Sequence, residues 1–440
     1  MKLSFFLLLM LVLLAGCSRR NAVGSLFLAL SPHEQYEKSL RSANLDQTVL
    51  GKTWLTAAER SLRDTLVVAL PFREVGYFMA EQPRAAAFRY PVRTGQRIEV
   101  AVRTSSPASM FLDVLEVTSD TTFRAVASAD STRQLSYEVE RDGMHVLRLQ
   151  SELLQNLSYE LAIEAKPSLG FPVAGQSSRA VGSFFGAPRD GGARTHRGVD
   201  IFAPRGTPVV AASDGVVSSR TGSKLGGKVV WLKARGINQY YAHLDSQAVR
   251  PAQRVRAGDT LGWVGNTGNA RSTPPHLHFG VYRFGRGAVD PFPFIDNAAP
   301  EPPLVETDTV LLKRPARVSA AAANLRAAPT TRSAVVGTYG QHTLLRLLGA
   351  SGKWFRAELP DGQRGYVHQS LVGSAEAAIE EVTISEDAYL FWTVDEATSD
   401  EANFLSETLL GTSVPVLARY DSLLWVEASS GLRMWLRPSS

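Results

Sequence analysis

Cysteine is nearly absent from this sequence, Cys17 being the only one in 440 residues. No disulfide can therefore form within the chain, and a metal site built from several thiolates is excluded. Glutamate is missing from a long central stretch, with none between Phe171 and Asn297. An HExxH zinc site, in which a glutamate deprotonates the attacking water, cannot operate there. The N-terminal apolar run, Leu3 to Leu14, is short of the roughly 20 residues that a membrane-spanning helix needs. What is present is ordinary: 44% apolar and 20% charged residues belong to a folded chain, and this length suggests roughly three or four folded units.

Lys2, the apolar run and the small residues that follow have the layout of a secretory signal peptide, assigned to residues 1–16. Leu14-Ala15-Gly16-Cys17 resembles the bacterial lipobox, in which the cysteine becomes the first mature residue and carries the lipid. Cys17 is thus the expected lipidation site, and residues 17–31 a lipid-anchored tether to the membrane. Ser18 follows the cysteine, and by the same analogy it implies a cell-envelope lipoprotein sorted to the outer membrane and facing the periplasm.

The fold class expected is mainly β with a short N-terminal helical segment. Residues 32–67 carry Tyr36, Leu40, Leu45, Val49, Trp54 and Ala58 at roughly helical spacing with a break at Gly51, which predicts a helical hairpin acting as a packing spacer. Residues 68–168 alternate, as in Arg97-Ile98-Glu99-Val100-Ala101-Val102, with turn signals at Thr94-Gly95 and Asp142-Gly143. An antiparallel β-sandwich follows, similar to the pre-peptidase sandwiches of secreted bacterial peptidases. Residues 171–298 are rich in glycine and short β-branched runs, and hold four of the eight histidines. Prolines 300, 302 and 303 mark residues 299–315 as a linker. Beyond it, Lys353-Trp354-Phe355-Arg356 and Leu424-Trp425-Val426-Glu427 occupy matching places in two similar segments, 316–374 and 380–438. The first resembles a bacterial SH3 domain; the second is a degenerate copy. Lying past a linker and carrying no ligand motif, both are expected to be separable targeting modules.

The central stretch carries the chemistry. His196-Arg197-Gly198-Val199-Asp200 sets an imidazole and a carboxylate four residues apart, and His276-Leu277-His278 sets two imidazoles two apart. On an extended strand each pair would project from one face, so three or four donors can converge on one ion. Nitrogen and carboxylate oxygen suit zinc, and three protein ligands leave a position for a water whose pKa falls to about 7. Metal-assisted hydrolysis by a metal-bound water is the reaction class implied. With glutamate missing, a spare histidine or an unused aspartate must act as base.

His196-Arg197-Gly198-Val199-Asp200, Tyr241-Ala242-His243-Leu244 and His276-Leu277-His278-Phe279 resemble the three motifs of the LytM/lysostaphin-type peptidases, the M23 family. The intervening stretches agree as well, notably Val255-Arg256-Ala257-Gly258-Asp259-Thr260-Leu261-Gly262. The resemblance implies that His196, Asp200 and His278 hold one Zn²⁺, that His276 is the general base, and that His243 positions the water and steadies the transition state. It also implies a peptidoglycan endopeptidase cutting D-Ala–diamino acid crosslinks or glycine bridges, and the lipoprotein features favour the former. Two departures are Pro275, where the family often has glycine, and Gly280, where glutamate is frequent; both point to an altered substrate groove. His33, His145, His342 and His368 are read as packed or surface residues.

Residues 171–297 hold sixteen Lys plus Arg against seven Asp, a basic balance that attracts anionic polymers. Peptidoglycan, whose stem peptides carry carboxylates, is the expected partner; nucleic acid fits the charge but not an exported lipoprotein. The rival reading is a non-catalytic scaffold that activates a separate amidase, which a complete ligand set disfavours. A pure wall-binding module would leave the five-residue site unexplained.

Overall fold

The computed structural model describes residues 30–438 except 108, 120, 131–132, 386–387, 395 and 397–409. The signal peptide, Cys17 and nearly all of the tether lie outside the described residues.

Ser31 opens the first helix, Pro32–Ser42, with a reciprocal capping box to Glu34, and Thr48 caps the second, Val49–Leu62, through Gly51 N. Gly51 is therefore not the break expected of it; the chain turns over residues 43–48, and Gly51 lies in the first turn of the second helix. Its missing side chain matters because a Cβ there would lie 1.9 Å from the Leu45 carbonyl oxygen. Leu45 and Val49 are exposed, contrary to the helical stripe, whereas Leu40, Trp54 and Ala58 are buried.

The hairpin covers the outer face of a β-sandwich. Trp54 Nε1 donates to the Ser151 carbonyl (2.8 Å), and buried Gln150 joins His33 Nε2 (2.7 Å) to the Trp54 carbonyl (2.9 Å). This explains why the strand Gly143–Ser151 is buried on both faces at its end rather than alternating. One sheet runs Ala85–Val92, Gly143–Ser151, Met110–Ser119, Thr122–Ala129; the other runs Phe72–Phe78, Leu157–Pro167, Gln96–Thr104, Gln134–Glu138. Ile98, Val100 and Val102 alternate inward from the second sheet to meet Phe88, Leu112, Leu147 and Leu149.

Between the sheets, Tyr90, Tyr137 and His145 form a buried hydroxyl–hydroxyl–imidazole chain at 3.1 and 2.8 Å. Burial pushes His145 down from 6.5 to about 4, and the opposing pull of Glu116 does not restore it. The folded state therefore prefers the neutral ring, so this contribution to stability is complete above pH 6.5 and is lost as pH falls toward 4. His145→Gln is expected to flatten that part of the stability profile by about 2 kcal/mol. Thermal unfolding of both proteins from pH 7 to pH 4 gives the check, and parallel curves would refute it.

The second sheet does not end at the sandwich. Strand Phe72–Phe78 pairs antiparallel with Leu344–Ser351, Val75 opposite Ala350 and Gly76 opposite Gly349, so the first C-terminal barrel continues the sandwich sheet. At the seam Arg356 forks onto Glu74 (Nε to Oε2 3.0 Å, Nη2 to Oε1 2.9 Å), Tyr159 donates to the same carboxylate (2.9 Å), and Arg356 and Glu74 are 4% and 0% exposed. A Cβ at Gly349 would lie 2.4 Å from Glu74 Oε1, so only glycine lets the strands close over the pair. The second barrel sheet, Glu380–Thr383, Ser413–Tyr420, Leu423–Glu427, Arg433–Arg437 and Tyr389–Phe391, packs on the first through Phe391, Tyr420 and Trp435. Expected modularity thus gives way to a continuous body.

The central region forms its own sheet, whose neighbours run Gly215–Ser219, Lys228–Ala234, Ile237–Gln247, His276–Arg283, Val199–Phe202. Its core holds Val199, Ile201, Leu232, Tyr241, Leu277 and Phe279. It rests on the sandwich: Arg93 bonds Asp290 (2.6 Å), and the Arg283 and Arg286 guanidiniums donate to the Glu140 carbonyl (2.7 and 3.0 Å).

Candidate metal centre and cleft

Two central strands set the site by register. Val199–Phe202 and His276–Arg283 are antiparallel, with Val199 opposite Phe279, Asp200 opposite His278, Ile201 opposite Leu277 and Phe202 opposite His276. Alternation sends Val199, Ile201, Leu277 and Phe279 into the core and their polar partners to the other face. For His276 and His278 the strand expectation holds. For His196 it does not, because His196 precedes the strand and approaches Asp200 around Gly198. A Cβ at Gly198 would lie 2.7 Å from the His278 ring and 2.5 Å from the Phe279 carbonyl, so this turn tolerates no side chain.

Three donor atoms converge. His196 Nε2 lies 3.0 Å from Asp200 Oδ1 and 3.0 Å from His278 Nδ1, and His278 Nδ1 lies 2.9 Å from Asp200 Oδ1. His196 Nδ1 donates to the Phe184 carbonyl (2.8 Å), which aims Nε2 at the Asp200 carboxylate oxygen. Two acceptors at that distance repel unless a cation or proton lies between them. The donor set of two imidazole nitrogens and one carboxylate oxygen, aimed at a common point, fits Zn²⁺.

Burial opposes ionisation of Asp200, yet the bonds from His196 and His278 outweigh it and hold the carboxyl well below the usual carboxylate range. Burial also lowers His278 and overrides the pull of Asp200. Both keep the donors in their metal-binding forms at neutral pH. Arg189, which no sequence motif marks, bonds the other carboxylate oxygen, Asp200 Oδ2, at 2.8 Å and reaches Ser183 Oγ at 2.5 Å. It sits on the small hairpin Pro188–Arg189/Arg194–Thr195, and its distance from the motifs hid it.

His243 and His276 border the triangle without entering it. His276 Nδ1 donates to the Pro274 carbonyl and His243 Nδ1 to the Thr267 carbonyl, both at 2.9 Å, so in each neutral ring Nε2 is the acceptor. The two rings are 5.1 Å apart, and His276 Nε2 lies 3.9 Å from Asp200 Oδ1. Burial and the neighbouring imidazole of His278 bring His243 down to about 4.

His243 reaches the site through an irregularity. Its strand pairs with His276–Arg283 up to Ala242 and with Thr260–Val264 from Leu244, and at the changeover His243 has φ +62°. A regular strand would have turned it to the core side with Tyr241. An L-residue in this left-handed region costs roughly 1–2 kcal/mol. His243→Gly is therefore expected to be about 1 kcal/mol more stable than His243→Ala, the reverse of the usual order in a strand. Denaturant melts of the two variants decide this, and an alanine variant at least as stable would contradict it.

The centre opens into a cleft of about 1020 Å³ bordered by the Arg189–Arg197 segment, the Ser223–Gly226 loop and Asn269–Pro274. His33, His145, His342 and His368 lie elsewhere: His33 stacks on Trp54 at 4.7 Å, and His368 caps a turn through Ser370.

Residues 194–291 match peptidase family M23 and residues 321–373 match the bacterial SH3 domain. The DD-carboxypeptidase/endopeptidase Mpg of Neisseria gonorrhoeae is 40% identical over 144 residues, 32% of this chain and 31% of that protein. The L-Ala–D-Glu endopeptidase of Bacillus subtilis is 35% identical over 139 residues, 28% of this chain and 42% of that protein. The solved catalytic domain of lysostaphin from Staphylococcus simulans is 36% identical, covering 26% of this chain and 89% of its own, with a TM-score of 0.24. The chain spans about a third of the length of the Neisseria relative.

Proposed function

We propose, from the premise that residues 194–291 are a family M23 peptidase domain, that this protein is a zinc-dependent endopeptidase hydrolysing peptide crosslinks in peptidoglycan. The observation that carries this is the convergence of His196, Asp200 and His278 beside two histidines whose Nδ1 atoms are held by backbone carbonyls. His196 Nε2, Asp200 Oδ1 and His278 Nδ1 would hold the ion. When bound, zinc supplies Lewis acidity and makes a water acidic enough to attack near neutral pH.

The chain's own groups complete the reaction. His276 Nε2 takes the proton released at attack and returns it to the leaving amine, and the Pro274 carbonyl keeps its ring in the accepting tautomer. His243 Nε2, held by Thr267, accepts a hydrogen of the attacking water and orients it. Arg189 fixes the Asp200 carboxylate.

The D-Ala–diamino acid bond is favoured over Gly-Gly, on the strength of the name of the Neisseria relative and of the outer-membrane features of the N-terminus. Zinc-loaded protein should cut purified diamino acid-crosslinked muropeptides faster than glycine-bridged ones, read by mass spectrometry of the products. Inertness on both would return the chain to the scaffold reading.

We infer also that Cys17 is acylated and holds the protein at the outer membrane. One acyl chain binds membranes only marginally, so multiple acylation is required. Cys17→Ala should move the protein to the soluble fraction after a salt wash; equal membrane recovery would defeat the idea.

A further inference from the structure

Beyond the metal centre, the cleft floor continues along the strand that carries it. Side chains of His276–Arg283 alternate, so His276, His278, position 280 and Tyr282 share the cleft face. Gly280 lies opposite Tyr240 in the neighbouring strand. A Cβ there would lie 3.1 Å from the Tyr282 ring and 3.3 Å from the Arg197 carbonyl, so glycine is what allows Tyr282 to lie over the strand. Trp231 stands 4.4 Å from Tyr240 and 5.1 Å from Tyr282 by ring centroids, and Tyr240 stands 5.9 Å from His278. An aromatic shelf thus begins one ring away from a metal ligand.

Charge at this shelf is unbalanced. Of the arginines lining the cleft, Arg189 is committed to Asp200 and Arg194 to Asp190 (2.5 Å). Arg197 is exposed, lines the same cleft, and makes no side-chain hydrogen bond or ion pair among the described residues. The Arg197 carbonyl and the Tyr282 ring flank the same point, 3.3 and 3.1 Å from a Cβ built at Gly280, so Arg197 borders the shelf. Asp200 is the one acidic side chain lining the cleft among the described residues, and it faces the metal donors.

We propose that Arg197 and the Trp231–Tyr240–Tyr282 shelf form a specificity subsite for a substrate residue carrying a free carboxylate on an aliphatic stem, the chemistry of a diamino acid in a crosslink. This rests on the reading of the cleft as a peptidoglycan peptidase. The stem packs on the aromatic faces, the carboxylate pairs with the planar guanidinium, and a residue bearing an amide or an amine in that place leaves Arg197 unpaired or repelled.

The test uses full-length zinc-loaded protein and two synthetic crosslinked peptides that differ only in the diamino acid carboxylate, free in one and a primary amide in the other. A lost charge-assisted bond is worth about tenfold or more. Wild type should show a KM about tenfold lower for the free carboxylate, with kcat within about threefold. Arg197→Gln should raise KM for the carboxylate form to the amide value, and Arg197→Lys should restore part of the preference. Calorimetric binding of the uncrosslinked stem peptides in both forms gives the same comparison without turnover. An Arg197-dependent preference in binding with no hydrolysis of either crosslink would retain the subsite and sink the peptidase reading. Equal losses on both forms in Arg197→Gln, or indifference of wild type to the amide in both assays, would overturn the subsite.

Discussion

Replacing His278 with alanine is expected to empty the metal centre and abolish hydrolysis together, whereas replacing His276 leaves most of the zinc and removes turnover. The two residues are two positions apart on one strand face, yet their nitrogens face different things. His278 Nδ1 is 2.9 Å from Asp200 Oδ1 and 3.0 Å from His196 Nε2, inside the triangle of donors. His276 Nε2 stands 3.9 Å from the same oxygen, outside it. A catalytic zinc site with three protein ligands cannot lose one cheaply, while loss of general-base assistance costs about 10²–10⁴-fold in rate. Elemental analysis of zinc beside muropeptide turnover separates the two. A metal-free His276→Ala with a zinc-loaded His278→Ala would reverse the assignments.

Cutting the buried link between the sandwich and the first barrel is the other change of large effect. Arg356→Met leaves the Glu74 carboxylate, 0% exposed, with only the Tyr159 hydroxyl. Removing one member of a buried pair costs about 3–5 kcal/mol, whereas replacing both members by well-packed apolar groups is often neutral. Arg356→Met should therefore lower the unfolding temperature by several degrees, and Glu74→Leu combined with Arg356→Met should recover much of the loss. Thermal melts of the two single variants and the double variant form the cycle. A single variant within about 1 kcal/mol of wild type would show that the seam contributes little. Deleting residues 316–440 would remove the neighbour of strand Phe72–Phe78 as well as Arg356, so the remaining chain should aggregate rather than persist as a clean peptidase.

That outcome separates what the sequence made legible from what it did not. That His276 and His278 share one strand face was readable because a strand has a fixed side-chain period, and the tryptophans that recur in step after the linker fall on strands Trp354–Glu358 and Leu423–Glu427. Arg189 and the rotation of His243 were not. One depends on where a short hairpin folds back, the other on a change of strand partner that local pattern does not encode. His196 and Asp200 met as expected, though by a turn at Gly198 rather than along a strand. The seam was the largest omission. Alternation in Phe72–Phe78 reports that one face is buried, and says nothing about which distant strand lies at its edge.

The partners across that seam, Glu74 and Arg356, are 282 residues apart in sequence. A chain emerging N-terminus first from a ribosome presents Glu74 and an open sheet edge long before Arg356 is available, and contacts of such high order form slowly. A chain that stops short of Arg356 keeps an unpaired sheet edge at Phe72–Phe78 and an interior carboxylate without its guanidinium. In pulse-labelled hydrogen exchange during refolding, amides of Phe72–Phe78 that face Leu344–Ser351 should gain protection later than those facing Leu157–Pro167; simultaneous protection of both edges would mean that the closure is not the late step.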